Sequence, residues 1–175
     1  ISNKDFTNFF EKEIKQFMNE STFQSFKTET KGMYFYIEGL YLYTKNNKVE
    51  SLHSFHNALQ NIPTDQIRAR LYYNLAFSYY QLFNYIIAKD FAKEAYNQYL
   101  HLHNWSKVAD CYNLYAIIHR LLGKLEIAEE YLKKGLDITK KEQNFKLTAM
   151  LLHNLALVYR DSKKYALALQ TINEC

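Results

Sequence analysis

The sequence predicts an all-α protein built as a right-handed superhelical solenoid of antiparallel helix pairs. Three observations support this fold class: an internal repeat of about 40 residues, apolar residues at helical spacing, and a scarcity of turn residues. The 175 residues include one proline and four glycines, which disfavours a turn-rich β fold. A repeat of this length is typical of proteins in which each unit buries its apolar face only by stacking on its neighbours.

The repeat becomes visible when residues 73–95, YNLAFSYYQLFNYIIAKDFAKEA, are shifted by 80 positions onto residues 153–175. Residues 113–135 lie halfway between these two copies, and a weaker copy precedes them, with Gly39 and Ser51 in place of Ala76 and Ala88. The period is 37 residues for the first step and 40 for the next two. We therefore predict repeats over about 32–65, 69–102, 109–142 and 149–175, the last one truncated.

Each copy contains the pattern of two helices. Tyr72, Leu75, Ala76 and Tyr79 recur at the i, i+3, i+4, i+7 spacing of one buried helix face. Alanines twelve residues apart, such as Ala76 and Ala88, are small enough to let the two helices of a pair approach closely.

The connectors between pairs repeat as well, because HNWSKVA matches QNFKLTA after a shift of 40 residues. Asn tolerates the left-handed conformation that ends many helices. We therefore predict that Asn104 and Asn144 lie at helix C-termini.

Residues 1–31 do not show the repeat clearly. An apolar stripe predicts a helix over roughly residues 4–19, and it consists of Phe6, Phe9, Phe10, Ile14 and Phe17. A second helix is predicted from about Thr22, and it could continue through Gly32 into Tyr43. We expect residues 1–31 to form a helical cap that covers the exposed face of the first repeat.

Composition limits the class of protein. Hydrophobic residues make up 48% and charged residues 23%, which is typical of neither a disordered chain nor a membrane protein. The net charge of +4 is too small to indicate nucleic-acid binding by itself. Cys111 and Cys175 form no CxxC motif and suggest free thiols in a reducing compartment. Since the chain begins without Met and shows no signal peptide, we expect a piece of a longer cytoplasmic protein.

The repeat pattern resembles the tetratricopeptide repeat. The copies at 73–95 and 153–175 each have an Ala and a second Ala twelve residues later, a Leu before the first Ala and a Tyr three residues after it. The Tyr-, Asn- and Lys-rich composition and the NLA-type first helices look more specifically like the C-terminal domains of peptide-pheromone-responsive regulators of Gram-positive bacteria, the Rap, NprR and PlcR kind. In most of these a helix-turn-helix DNA-binding domain precedes the repeats, so DNA would be reached only through a domain absent from this chain.

In such a solenoid the first helices line the concave side. Each first helix has a stripe of residues beside its buried face, and we expect this stripe to face the groove. Asn amides can pair with the N–H and C=O groups of a peptide, and Arg offers a planar fork of donors for carboxylates. The resemblance also implies that groove Asn residues hold a peptide backbone. The predicted peptide-binding residues are Arg70, Tyr73, Asn74, Phe77, Tyr80, Asn113, Ile117, Arg120, His153, Asn154, Leu157 and Arg160.

Structural roles remain open for the same residues. Asn74 and Asn154 could bond to a neighbouring repeat, and Asn113 lies one residue out of register with them. Arg120 and Arg160 could pair with acidic side chains instead of a ligand, namely Asp110, Asp161 or Glu126. The aromatic stripe could equally fill the space between repeats.

These observations favour a peptide-binding sensor module, the regulatory part of a bacterial transcription regulator. The alternative is a structural adaptor that docks a folded partner protein. A third hypothesis comes from the Rap resemblance, which implies a response-regulator phosphatase with a catalytic Gln in an N-terminal helical bundle, where Gln16 and Gln24 lie. We found no enzyme motif, so we expect no catalysis, cofactor or metal. We also expect self-association through the terminal repeats, because Leu167, Leu169 and Ile172 lack a covering helix.

Overall fold

The computed structural model describes residues 3–14, 20–61 and 64–174, and these ranges contain helices and turns but no strand. Ten α-helices and one π-helical turn follow one another along these ranges: α1 (Asn3–Phe9), the π turn (Phe10–Ile14), α2 (Glu20–Ser25), α3 (Thr28–Thr44), α4 (Lys48–Leu59), α5 (Asp65–Gln81), α6 (Tyr85–His101), α7 (Trp105–Leu121), α8 (Leu125–Lys141), α9 (Phe145–Asp161) and α10 (Tyr165–Asn173).

The helices α3 to α10 form four antiparallel pairs, and each pair packs on the next. The first helices of consecutive pairs also contact each other, α5 with α7 and α7 with α9, so that they line one side of the stack. The predicted all-α superhelical fold is confirmed. Chain reversal within and between pairs uses a single left-handed residue in most turns, for example Phe83 with φ 61° and Gly123 with φ 73°.

The first helices begin four residues earlier than the repeat pattern predicts. Starts near residues 69, 109 and 149 were expected, whereas α5, α7 and α9 begin at Asp65, Trp105 and Phe145. The prediction for Asn104 and Asn144 is therefore wrong, because both are N-caps of the following helix. Their side-chain oxygens each accept a hydrogen bond at 3.2 Å, from the backbone N–H of Lys107 and Leu147.

The left-handed residues at these two turns are His103 and Gln143, one position earlier, with φ of 51° and 53°. Their side chains are exposed and carry no capping role. Asn is needed one residue later, where the free N–H groups of the next helix require an acceptor.

The paired alanines are buried between the helices of their pairs. Ala76 and Ala88 are fully buried in one cluster, and Ala116 and Ala128 are buried in the next.

The first pair replaces these alanines with Gly39 and Ser51. The Ser51 hydroxyl donates to the Gly39 carbonyl at 2.8 Å, and a Cβ at position 39 would lie 2.5 Å from the Phe55 ring. Glycine at position 39 therefore lets an aromatic ring from α4 lie directly on α3.

The N-terminal region differs from the prediction in its helix boundaries. The predicted helix over 4–19 is α-helical only to Phe9 before the π turn, and the rest of it from residue 15 lies outside the described residues. A helix does begin near Thr22, as α2, but it does not continue into Tyr43, because a break at Phe26 and Lys27 separates α2 from α3. The ring of Phe10 is buried and stacks on Tyr41 of α3 at 4.4 Å, so this region packs on the first helix pair.

At the other end, α10 exposes apolar side chains. The side chains of Leu167, Leu169 and Ile172 are 44%, 65% and 42% exposed. Self-association through this surface stays a prediction. Among the helices in the described ranges, none combines the length and apolarity that crossing a bilayer requires.

Candidate functional site

All twelve predicted peptide-binding residues lie on the first helices α5, α7 and α9. The structure brings three of them, Tyr73, Asn74 and Phe77, together at one cleft of about 270 Å³. The opposite wall comes from Leu40 and Tyr43 of α3, which occupy the equivalent stripe of the first repeat.

Polar atoms in the cleft and beside it lack hydrogen-bond partners. Ser78 is buried, and its hydroxyl oxygen has no hydrogen-bond partner although the residue lines the cleft. Gln81, one turn further along α5, donates from Nε2 to the Tyr43 hydroxyl at 2.8 Å, while its Oε1 is buried without a partner. Buried polar atoms without partners are rare and costly, so they mark a place where a ligand would add hydrogen bonds.

Asn74 lines this cleft, beside Tyr36 of α3. A side-chain amide carries two donor hydrogens and an oxygen with two acceptor positions. The Asn74 amide can therefore offer both donors and acceptors to a ligand in the cleft.

Burial raises the pKa of Tyr36, although Arg70 and Asn74 act to lower it. Burial also raises the pKa of Tyr43, and this effect is larger than the lowering caused by the hydrogen bond with Gln81. Both hydroxyls consequently remain protonated near pH 7. They can donate to a ligand carbonyl or carboxylate at the edge of the cleft.

Four lining residues are not among the twelve predicted ones, namely Leu40, Tyr43, Phe55 and Ser78. Ser78 follows Asn74 by four residues and so lies on the same face of α5, a spacing that could have identified it. Phe55 belongs to a second helix, and it reaches the cleft because Gly39 leaves room for its ring. No repeat position in the sequence indicates that contact.

Four predicted residues of α7 and α9 form hydrogen bonds within the protein, two of which join neighbouring repeats. The Asn154 amide nitrogen donates to the Asn113 oxygen at 2.7 Å. Arg120 donates to Asp161 at 2.8 Å, and Arg160 binds the other oxygen of Asp161 at 2.8 and 3.0 Å. These are the structural contacts that the sequence left open for Asn154, Arg120 and Arg160.

Asp161 is the carboxylate shared by these two arginines. Partial burial works against its charged form, but the hydrogen bonds and positive charges of Arg120 and Arg160 hold its pKa below the ordinary value of 3.8. Asp110, the other candidate partner on this face, pairs with Lys107 at 2.7 Å.

The remaining predicted residues differ in exposure. Tyr80 packs on Phe77 with ring centroids 5.6 Å apart. Three are exposed on the first helices, namely Arg70, His153 and Arg160, while Ile117 and Leu157 are half-buried. Across residues 3–14, 20–61 and 64–174, no three His, Cys, Asp or Glu side chains come close enough to hold a metal ion. Gln16 lies outside these ranges, and Gln24 is exposed on α2.

Comparison with known proteins supports the repeat assignment. Residues 67–141 match the sequence profile of the tetratricopeptide repeat. The predicted resemblance is therefore confirmed. Compared by sequence alone, the chain has no match among curated proteins.

Solved structures share this tetratricopeptide-type fold along almost the whole chain. A Rap protein in complex with the competence and sporulation factor superposes with a TM-score of 0.77 and 16% identity, over 96% of this chain and 45% of that one. Aspartyl phosphate phosphatase F from Bacillus subtilis superposes with a TM-score of 0.78 and 17% identity, over 98% of this chain and 48% of that one. BtubC from P. vanneervenii superposes with a TM-score of 0.77 and 14% identity, over 98% of this chain and 76% of that one.

These identities establish a common fold only. The chain spans about half the length of the two Rap-type structures. The similar score for BtubC shows that the fold extends beyond the Rap proteins.

Proposed function

We propose that this chain binds an extended peptide along the face formed by its first helices, with the cleft between α3 and α5 as the anchoring pocket. The observation that carries the proposal is the Ser78 hydroxyl, buried and without a partner beside the Asn74 amide. A peptide backbone supplies both N–H and C=O groups and would satisfy both side chains.

The size and walls of the cleft suit one part of such a peptide. Its volume of about 270 Å³ lies just below the range of about 300–1,000 Å³ for small-molecule pockets. The aromatic rings of Tyr43, Tyr73 and Phe77 offer contact area for an apolar side chain. The rest of the peptide would then follow the first helices past Asn113 and Asn154.

The relatives support a more specific role for the same groove. A Rap protein of this fold has been solved with a signalling peptide, the competence and sporulation factor. By analogy, we propose that the chain is the signal-peptide-sensing part of a cytoplasmic transcription regulator in a Gram-positive bacterium. DNA contact would require a further domain.

The test begins with a library of short fluorescent peptides, from which a binding sequence is selected by anisotropy. The variants Asn74→Ala and Ser78→Ala should then bind that peptide more weakly than the wild type. Loss of a buried hydrogen-bond partner costs about 1–3 kcal/mol, or about 5- to 150-fold in Kd. Asn97→Ala removes the same amide from the exposed side of α6 and serves as the control.

The melting temperatures decide between ligand binding and structural support. Asn74→Ala should leave the melting temperature close to that of the wild type, because its amide faces the cleft. Lower stability with unchanged peptide affinity would exclude Asn74 from the site. If no peptide binds but a folded partner protein does, the adaptor function is correct instead.

A further inference from the structure

A second cleft, of about 360 Å³, lies on the other side of the repeats from the peptide groove. Its walls come from the second helices α6 and α8, and its floor comes from the face of α7 that points away from the groove. Its volume falls within the range of about 300–1,000 Å³ that is common for small-molecule pockets. The function proposed above makes no use of it.

The floor of this outer cleft is a rigid stack of aromatic rings. Tyr131 of α8 lies nearly parallel to three rings of α7, with centroids 5.8 Å from Tyr112, 5.1 Å from Tyr115 and 5.6 Å from His119. The Tyr96 hydroxyl lies 3.3 Å from that of Tyr112. Rings held in this way need little reordering when a ligand binds, which lowers the entropic cost of association.

Positively charged side chains outnumber negatively charged ones among the residues that line the cleft. His119 is 8% exposed, and its Nδ1 atom has no partner although the residue lines the cleft. Lys89 and Lys93 lie at the rim, and neither forms an ion pair with a carboxylate in the described parts of the chain. Asp90 is the one carboxylate among the lining residues, so the described cleft has an excess of positive charge.

We propose that the outer cleft binds a small aromatic anion. Lys89 and Lys93 hold its carboxylate or phosphate group, and its ring packs on the tyrosines. A cationic ligand would face two unpaired lysines, and a neutral one would leave them uncompensated.

The lowered pKa of His119 agrees with this chemistry. Burial lowers it first, and the positive charges of Lys124 and Lys89 lower it further. The ring is consequently neutral near pH 7, so the charge available to an anion comes from the lysines.

The experiment uses phenyl phosphate and benzoate as probes, with inorganic phosphate and phenol as the charge-only and ring-only controls. Binding is measured by calorimetry and by the ring resonances of ¹⁵N-histidine-labelled protein. We expect saturable binding of phenyl phosphate or benzoate that shifts the His119 signals, and weaker binding of inorganic phosphate and phenol. The preferred probe identifies the acidic group of the ligand.

The variant Lys89→Gln/Lys93→Gln should raise the Kd of the preferred probe about tenfold, which corresponds to about 1.4 kcal/mol. Lys140→Gln removes one exposed lysine of α8 outside the cleft and should have no effect. Equal binding of inorganic phosphate, an equal loss in Lys140→Gln, or no saturable binding of either aromatic anion would overturn the proposal. Because Asn74→Ala leaves this cleft intact, failure of the peptide groove would not affect the result.

Discussion

The Asn154 side chain donates a hydrogen bond to the Asn113 side chain across 2.7 Å, and the two residues lie 41 positions apart on neighbouring first helices. Arg120 and Asp161 have the same separation and are joined at 2.8 Å. Between the first two repeats, where the period is three residues shorter, Tyr43 and Gln81 are joined at a separation of 38. Each of these three contacts therefore joins a residue to the position one period and one residue later.

This relationship predicts that Asn154→Ala destabilises the fold. Asn113 is 6% exposed and would lose its partner, which costs about 1–3 kcal/mol. For a domain of this size each kcal/mol lowers the melting temperature by about 2–4 °C. Thermal unfolding followed by circular dichroism measures the effect, with Asn97→Ala as the control.

A double variant separates the lost bond from lost packing. Replacing both amides, in Asn113→Leu/Asn154→Leu, removes the unsatisfied group and should recover much of the stability. A melting temperature of Asn154→Ala equal to that of Asn97→Ala would contradict a structural role for this pair.

The repeat fold could be predicted from the sequence because its main signal is local. Ala76 and Ala88 recur at the same positions in the next copy as Ala116 and Ala128, and each pair is buried in one cluster. The turns were less predictable, because Asn suits both a left-handed turn and an N-cap. Only the structure shows that His103 takes the turn position while Asn104 caps α7.

The candidate site could be predicted only in part. Tyr73, Asn74 and Phe77 were identified because helical spacing determines which residues share a face. The pairing of Asn113 with Asn154 was not, because the offset between neighbouring helices depends on how they pack. The same offset that placed Asn113 out of register is the one that brings the two amides together.

Acid should weaken the contact between the last two repeats. The pKa of Asp161 is lowered in the folded state, so its ion pairs stabilise the fold above the ordinary pKa of 3.8 and are lost as the pH falls below it. We expect the free energy of unfolding to decrease between about pH 5 and pH 3 in urea titrations. Asp161→Asn should show a smaller decrease, and an unchanged pH dependence would contradict this assignment.

Gly39→Ala should destabilise the first helix pair, although Ala favours a helix by about 1 kcal/mol over Gly. The added methyl group would lie 2.5 Å from the Phe55 ring, and overpacking of this kind costs about 1–3 kcal/mol. Urea unfolding of the variant measures the net effect. Phe55→Leu in the same background should reduce the loss, and a more stable Gly39→Ala variant would show that the ring moves freely.

Self-association through α10 depends on its exposed apolar residues. Leu169 is 65% exposed, so Leu169→Gln should change the fold little but weaken association of the 175-residue chain. Sedimentation velocity over a range of concentrations measures this. Ile86, exposed at 71% on α6, provides a control as Ile86→Gln. A wild-type chain that stays monomeric at high concentration would rule out the association.

Cys111 should be inert to thiol reagents in the folded protein. Burial raises its pKa, and the nearby Asp110 charge adds to this effect more than Lys107 opposes it. The thiol is fully buried and remains protonated near pH 7, whereas the thiolate is the reactive form.

The measurement uses Ellman's reagent in a Cys175→Ser background, so that the colour reports Cys111 alone. We expect labelling only as fast as α7 becomes exposed, with a rate that rises in urea and in the destabilised Asn154→Ala variant. Rapid labelling in buffer, at a rate independent of both changes, would mean that reagent reaches the thiol without unfolding. In that case the packing of Tyr73 and Tyr99 around Cys111 would be looser than the structure shows.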